Sequence, residues 1–477
     1  MLNEGYMMDF FENKQAVRNL FFALGCAVFA SLFLMAGLLY LERVCLVDTA
    51  YRTVLMIITK RPAIYHLRFG AFIPQLLPLA AIGLHASLKT VMVVNSLSFV
   101  VFFFAVYVAA FRMSHSSLLF FLVPVYLIML TNEEFYWPQS EYQQGMVWLC
   151  LYAVILFEHK FEKYPAWLFF LIHGLLIYWI QTFHLLIFIP LSFLIVYYYY
   201  TSSSIFGKRF FIHEAISIAA FIFSYRQGLH DPYESNKLDI AKSFHEHLPH
   251  FFSLGSVIEF RHKLPLEYAG YVITFLIALL WFMRSRKYFM ALALISVSLF
   301  YWVLIIIACP DMGRFYSEYL MLPLGFMAAL PVVTEVIPMI QVRSIMILLL
   351  IFCTVRIATI YHSHIDYTRR LAIYQPYFDY IRKENLTGVF IADSLIDQQK
   401  AIMTWGSGYE SALLSSLASP DSCKIIQIDG DPYHYRYALD WDSTMVTIYG
   451  TWNQSQLPKE YFNLHGKGYE VITQKPR

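Results

Sequence analysis

Long apolar runs separated by short polar joints fill the first three quarters of the chain, and the last quarter breaks that pattern. The runs fall near 20–41, 71–86, 90–111, 117–130, 146–157, 166–180, 182–200, 210–225, 268–283, 289–309, 319–339 and 345–361. A straight helix needs about 20 such residues to cross a bilayer. Several runs are shorter and need flanking polar residues, protein burial or a thin local bilayer. The weakest is 71–86, in RFGAFIPQLLPLAAIGLHA, where Pro74, Gln75 and Pro78 interrupt it. If it does not cross, alternation from a cytoplasmic start puts Arg112, Lys160, Lys163, Lys208, Arg209, Arg284, Arg286, Lys287 and Arg343 inside. Short cytoplasmic loops carry just such an excess of Lys and Arg. We therefore read 71–86 as interfacial or re-entrant, which leaves about eleven transmembrane helices in residues 1–361.

Residues 362–477 alternate differently. GVFIAD, KIIQID, TMVTIYG and YEVIT read as strands, while YQPYFDYIRKEN, SGYESALLSSLAS and LPKEYFNLHG read as helices. The expected fold is a polytopic α-helical membrane protein with a small external C-terminal α/β domain. The first residues, MLNEGYMMDFFENKQAVRNL, lack the basic start and small-residue cleavage site of a signal peptide, so 20–41 is expected to persist as the first span.

Composition narrows the class. With 58% hydrophobic and 14% charged residues, the chain has far more apolar surface than a soluble core uses. A net charge of +2 without a basic, aromatic-interleaved patch argues against nucleic acid as a partner. Six cysteines without a C-x-x-C pair indicate neither a disulfide framework nor a thiolate metal site.

This topology gathers the external segments 42–89, 131–145, 226–267, 310–318 and 362–477 on one side. The first carries Asp48 beside an amphipathic stretch, TAYRTVLMIITKRPAIYHLRFG, whose apolar face is expected in the headgroup region, with Arg52, Lys60, Arg61 and Arg68 near lipid phosphates. An acid there can orient an acceptor hydroxyl and take its proton. The alternative is an interfacial aspartate that caps a helix, since DTAYR is also a plausible helix start. The second, TNEEFYWPQSEYQQG, sets Glu133, Glu134 and Glu141 among Tyr136, Trp137 and Tyr142. Carboxylates between flat rings suit a sugar, and the same oxygens suit Mg²⁺ or Mn²⁺; a solvated loop with an aromatic belt is the alternative. The third is long, with His245, His247, Arg261, Lys242 and Lys263; it reads as a surface loop or a lid whose cations meet phosphates. The fourth places Arg314 and Tyr316 at a membrane face, where a guanidinium can grip two phosphate oxygens or pair with Asp311 or Glu318. Among residues inside the runs, His184 lies near the external end of its span and can line the same pocket, whereas His213 and Glu214 are expected to snorkel toward the cytoplasmic face. In the tail, Asp429 and Asp431 of DGDPYHYRY form a D-x-D that reads as a turn.

Asp48 in LVDTAYR, the acids of NEEFYWPQSEYQ and Arg314 with Tyr316 in GRFYSEYLMLP together resemble the GT-C class of membrane glycosyltransferases. The resemblance covers 1–361 and rests on arrangement; the first loop has one Asp where many members have an acidic pair, and the late motif reads R-F-Y. It implies transfer of a hexosyl or pentosyl unit from a polyprenyl-phosphate carrier to a glycan, lipid or protein acceptor. Asp48 would be the base or acceptor-orienting group, with Glu134 assisting or a loop glutamate binding a divalent cation. Arg314 would stabilise the leaving phosphate, and Glu133, Glu141, Tyr136, Trp137, Tyr316, Arg261 and His184 would surround the substrates. The implied place is a bacterial inner membrane, with the N-terminus cytoplasmic and the tail periplasmic. The competing expectations are an O-antigen-type ligase or polymerase, with chemistry at Arg261, His245 and His247, a transporter or flippase, and a non-catalytic scaffold.

Overall fold

The structure, a computed structural model, describes residues 14–474 except 67, 116, 159–164, 203–206, 234, 237–242, 247 and 311–313. Lys160, Lys163, Lys242, His247 and Asp311 therefore lie outside the described residues. Among those described, five helices are long and apolar enough to cross a membrane: Gln15–Leu38, Leu88–Met113, Tyr288–Ala308, Glu318–Met339 and Val342–Glu384. Five more apolar helices are shorter, among them Leu119–Met129, Leu185–Thr201 and Ala269–Arg284. Fewer helices reach spanning length than the apolar runs lead one to expect, and burial in protein accounts for one of the short ones. Every residue of Leu122–Met129 is buried by its neighbours, so its ends need protein partners in place of lipid headgroups. Arg356 of the Val342–His362 helix supplies them, donating to Ile128 O at 2.8 Å and Thr131 O at 2.7 Å.

Close helix contact depends on small residues at defined places. A side chain at Gly25 would put Cβ 2.1 Å from the Tyr107 hydroxyl, which donates to Phe22 O at 3.0 Å and ties the first helix to Leu88–Met113. His213 does not snorkel as expected. It is fully buried, with Nε2 2.6 Å from the Tyr152 hydroxyl, whose oxygen also lies 2.7 Å from His173 Nδ1. Three helices thus close around their own polar groups, which removes the reason to reach for water. Glu214 is also held locally, accepting from Ser192 at 3.3 Å.

The segment 71–86 folds as a 3₁₀ turn, Phe69–Gln75, followed by the short helix Leu76–Gly83. The Gln75 side chain closes the loop by accepting from Ala63 N at 2.7 Å and donating to Ala63 O at 3.1 Å. Both flanks of this loop meet the C-terminal unit, through Val47 N to Glu410 at 2.7 Å and Tyr461 hydroxyl to Ala86 O at 3.0 Å. The two ends of the loop are thus both tied to the C-terminal unit.

The C-terminal unit is a parallel sheet of order β2-β1-β5, with β1 Gly388–Ala392, β2 Ile425–Asp429 and β5 Tyr469–Ile472, and a hairpin of β3 Thr444–Thr447 and β4 Gly450–Asn453. Helices Gln375–Glu384 and Ser407–Ser415 fall where the pattern placed them. LPKEYFNLHG is not a helix. Gln454 takes the place of helical backbone bonds, donating to Phe462 O at 2.9 Å and accepting from Leu464 N at 2.7 Å, while Leu457, Tyr461, Phe462 and Leu464 are buried. The D-x-D is a turn: Asp429 accepts from Tyr435 at 2.9 Å and Asp431 from the Tyr433 amide at 3.0 Å.

The first-loop helix Val47–Thr59 departs most from expectation. Its apolar face, Ala50, Val54 and Ile57, shares a core with Tyr409, Ala412 and Leu413 of the C-terminal unit. A folded domain covers the surface that the pattern alone assigns to lipid. Only Lys60 and Arg61 of its expected phosphate-facing cations are exposed; Arg52 is buried.

Candidate active site

Asp48 stands in the first turn of Val47–Thr59 and is half-buried. The Tyr316 hydroxyl donates to its Oδ2 at 3.4 Å. Trp137 lies beside both, its ring 5.1 Å from that of Tyr316 and 4.9 Å from that of Tyr319. One turn along, Arg52 pairs with Glu141, which also binds Arg68 at 3.2 Å. Asp48, Trp137, Glu141 and Tyr316 therefore come together from three separate segments of the chain.

The two carboxylates are set apart by environment. Burial pushes the Asp48 carboxyl up to about 6 against the pull of Arg52, with Glu141 adding to the rise and Trp137 and Tyr316 opposing it. Burial alone would raise Glu141 too, but Arg52 and Arg68 hold it down to about 2. One acid is thus permanently ionised and neutralised by guanidiniums, while the other changes charge near neutral pH. Such a split assigns different tasks to neighbouring carboxylates.

Other expected residues lie elsewhere. Glu134 is fully buried beside Arg43 in a small cavity with Phe29, Leu32 and Phe103, and its carboxyl oxygens have no hydrogen-bond partner among the described residues. Burial, reinforced by Glu318, raises that carboxyl well above its usual range. Tyr136 is stacked on Tyr367 at 4.7 Å and donates to Ile360 O at 2.9 Å, so it packs the core. Glu133 binds Arg314 at 3.0 Å, and Arg314 also reaches Asp366 at 2.7 Å; the guanidinium expected to hold phosphate is turned toward carboxylates. Lys263 is buried among Glu259 at 3.0 Å, Glu318 at 3.3 Å and Glu133 at 4.0 Å, so it does not face lipid. Burial alone would lower its ammonium, but Glu318 and its other neighbours raise it well above its ordinary value. Arg261 is exposed on the last turn of Gly255–Lys263.

His184 stacks near Tyr142, with ring centres 4.6 Å apart, and lines two cavities at once. One is polar, bounded by His66, Arg68, Gln181, Ser224 and Gln227. The Gln181 amide is buried without a partner among the described residues. The other is an apolar groove of about 340 Å³ between helices, walled by Phe188, Phe221, Leu304, Ile305 and Leu320. His184 and Leu185 form the shared edge.

The sequence reading missed one whole wall. Tyr51, one turn from Asp48, is ringed by Tyr65 at 5.3 Å, Tyr409 at 4.8 Å, Tyr449 at 5.7 Å and Trp405 at 6.2 Å. Three of these come from the C-terminal unit. His66 also stacks on Tyr233 at 4.3 Å and lies 3.0 Å from Asp231. Single aromatic residues in a tail carry no signal of such a meeting. Among the described residues no group of three or more His, Cys, Asp or Glu side chains is placed to hold a metal ion. The carboxylates of Glu133 and Glu141, expected as cation ligands, are committed to cationic side chains instead. Compared with known proteins, the chain matches no family model, no curated protein and no solved structure.

Proposed function

We propose that this protein transfers a sugar from a lipid-phosphate carrier to an acceptor hydroxyl at the outer face of a bacterial inner membrane. The observation that carries this reading is the junction at His184, where an apolar groove meets a polar cavity containing His66 and Arg68. A long isoprenoid tail fits the groove, and its phosphate then falls beside the basic residues. Arg68 leads through Glu141 and Arg52 to Asp48. The acceptor hydroxyl gives its proton to Asp48 while its oxygen bonds the anomeric carbon. The bond from that carbon to the phosphate oxygen breaks, and the lipid phosphate leaves with the electron pair. Tyr316 and Trp137 hold Asp48, and the aromatic wall around Tyr51 offers flat faces to a pyranose.

A photoreactive isoprenoid phosphate should label peptides covering 185–189 and 300–309, and Leu304→Trp should suppress that labelling. Labelling that ignores the substitution, or falls evenly over the helices, ends the proposal. The sidedness it needs is read with an impermeant maleimide on intact cells. Cysteine at exposed Lys459 should label and cysteine at exposed Arg286 should not, against a background of native cysteines that are buried or half-buried. The reverse pattern would place the Asp48 side in the cytoplasm.

A further inference from the structure

The helix bearing Asp48 lacks a capping side chain of its own, because Leu46 precedes it. The missing acceptor comes from the far end of the chain. Glu410, fully buried in Ser407–Ser415, accepts the Val47 N–H at 2.7 Å. The same carboxylate accepts from Arg370 at 2.7 Å and from the Tyr374 hydroxyl at 2.6 Å. Arg370 in turn donates to Cys45 O at 3.0 Å, Ala401 O at 2.8 Å and Met403 O at 2.8 Å. Thus the amide of Val47 and the carbonyl of Cys45, on either side of Leu46, are both held by the C-terminal part of the chain.

Backbone packing tightens the same grip. A Cβ on Gly406 would come within 2.5 Å of Val47 Cα. Val47 itself has a φ of +25°, a conformation that β-branched residues avoid and that persists only where the surroundings impose it. Among the described residues, no hydrogen bond or ion pair joins Glu410, Arg370 or Tyr374 to Asp48. Its own surroundings are Arg52 on the same helix, Glu141, Tyr316 and Trp137 from neighbouring segments, and Tyr449 of the C-terminal unit.

We infer that Glu410 and Arg370 are positioning residues for Asp48: by gripping Cys45 and Val47 they set where its carboxyl sits, which makes the C-terminal unit a working part of the site. This rests on Asp48 being the reacting acid. Two variants of the full chain in nanodiscs test it. Glu410→Gln keeps an acceptor for Val47 but gives up the charge, and Gly406→Ala pushes on Val47 with the ion pair intact. Amide exchange at 47–50 should rise about tenfold or more in both while 388–392 stays protected. A diazo reagent, which esterifies only the protonated acid, should give an Asp48 midpoint near 6 in the parent chain. That midpoint should fall toward the ordinary ~4 in the variants as the helix start loosens and hydrates. A buried pair serving stability alone would leave the midpoint unchanged. The inference is overturned if exchange at 47–50 does not change, if it rises no more than at 388–392 in both variants, or if the midpoint stays fixed. Neither readout needs turnover, so normal sugar transfer by Asp48→Asn would defeat the transferase reading separately.

Discussion

Asp48→Asn should cut sugar transfer by about 10²–10⁴-fold, the usual contribution of a positioned general base, and should make the protein harder to melt at neutral pH. On the proposed transfer, activity of the parent chain should rise with pH, with a midpoint near 6, because the base acts only when ionised. The stability effect follows from linkage. An aspartate at ~3.9 when unfolded and about 6 when folded binds more protons in the folded state between those values. Stability is therefore lost as pH rises through that window, reaching roughly 2–3 kcal/mol above it. Asparagine removes the penalty, so the gain in melting temperature should be present at pH 7 and absent near pH 4. A variant that transfers sugar normally, or melts lower at pH 7, contradicts the assignment of Asp48 as a desolvated reactive acid.

Lys263→Met should be the most damaging change away from the Asp48 cluster. Its ammonium is buried among three carboxylates, and Glu318 also accepts the Glu134 amide at 2.9 Å, which fastens the second loop to the Phe315–Pro331 helix. Removing the cation that, among the described residues, meets all three acids leaves fully buried Glu318 without that partner, at a cost of about 3–5 kcal/mol. Adding Glu318→Gln should recover part of it. Melting curves of the single and double variants at pH 7.5 check both statements; a single variant as stable as the parent would mean the cluster is not structural.

How much of this was readable beforehand depends on chain separation. The apolar helices, four of the five strands and the helix start near Asp48 follow from local pattern, since each is decided within a few residues; β4, Gly450–Asn453, is too short and mixed to stand out. The coincidence of Asp48 with Trp137 and Tyr316 could be argued only from shared sidedness. What local pattern cannot show is which charge meets which. Arg52 and Arg68 looked lipid-facing because an amphipathic stretch beside a membrane ordinarily faces lipid, yet both bind Glu141, Arg68 from the wall of the polar cavity at His184. Arg314 and Lys263 followed the same course, each finding a nearer carboxylate. The grip of Glu410 on Val47 joins residues 363 positions apart, and a lone glutamate in SGYESALL carries no trace of it.

The run of helix from Val342–His362 through His364–Leu371 has a practical outcome for anyone dissecting the protein. A cut at 361/362 to obtain a water-soluble fragment severs no linker. It would strip Tyr409, Ala412 and Leu413 of the partner surface that Val47–Thr59 provides, and leave the Glu410 carboxylate without its amide. Such a fragment would carry a greasy scar and aggregate, so the tail is best studied attached to its own membrane body.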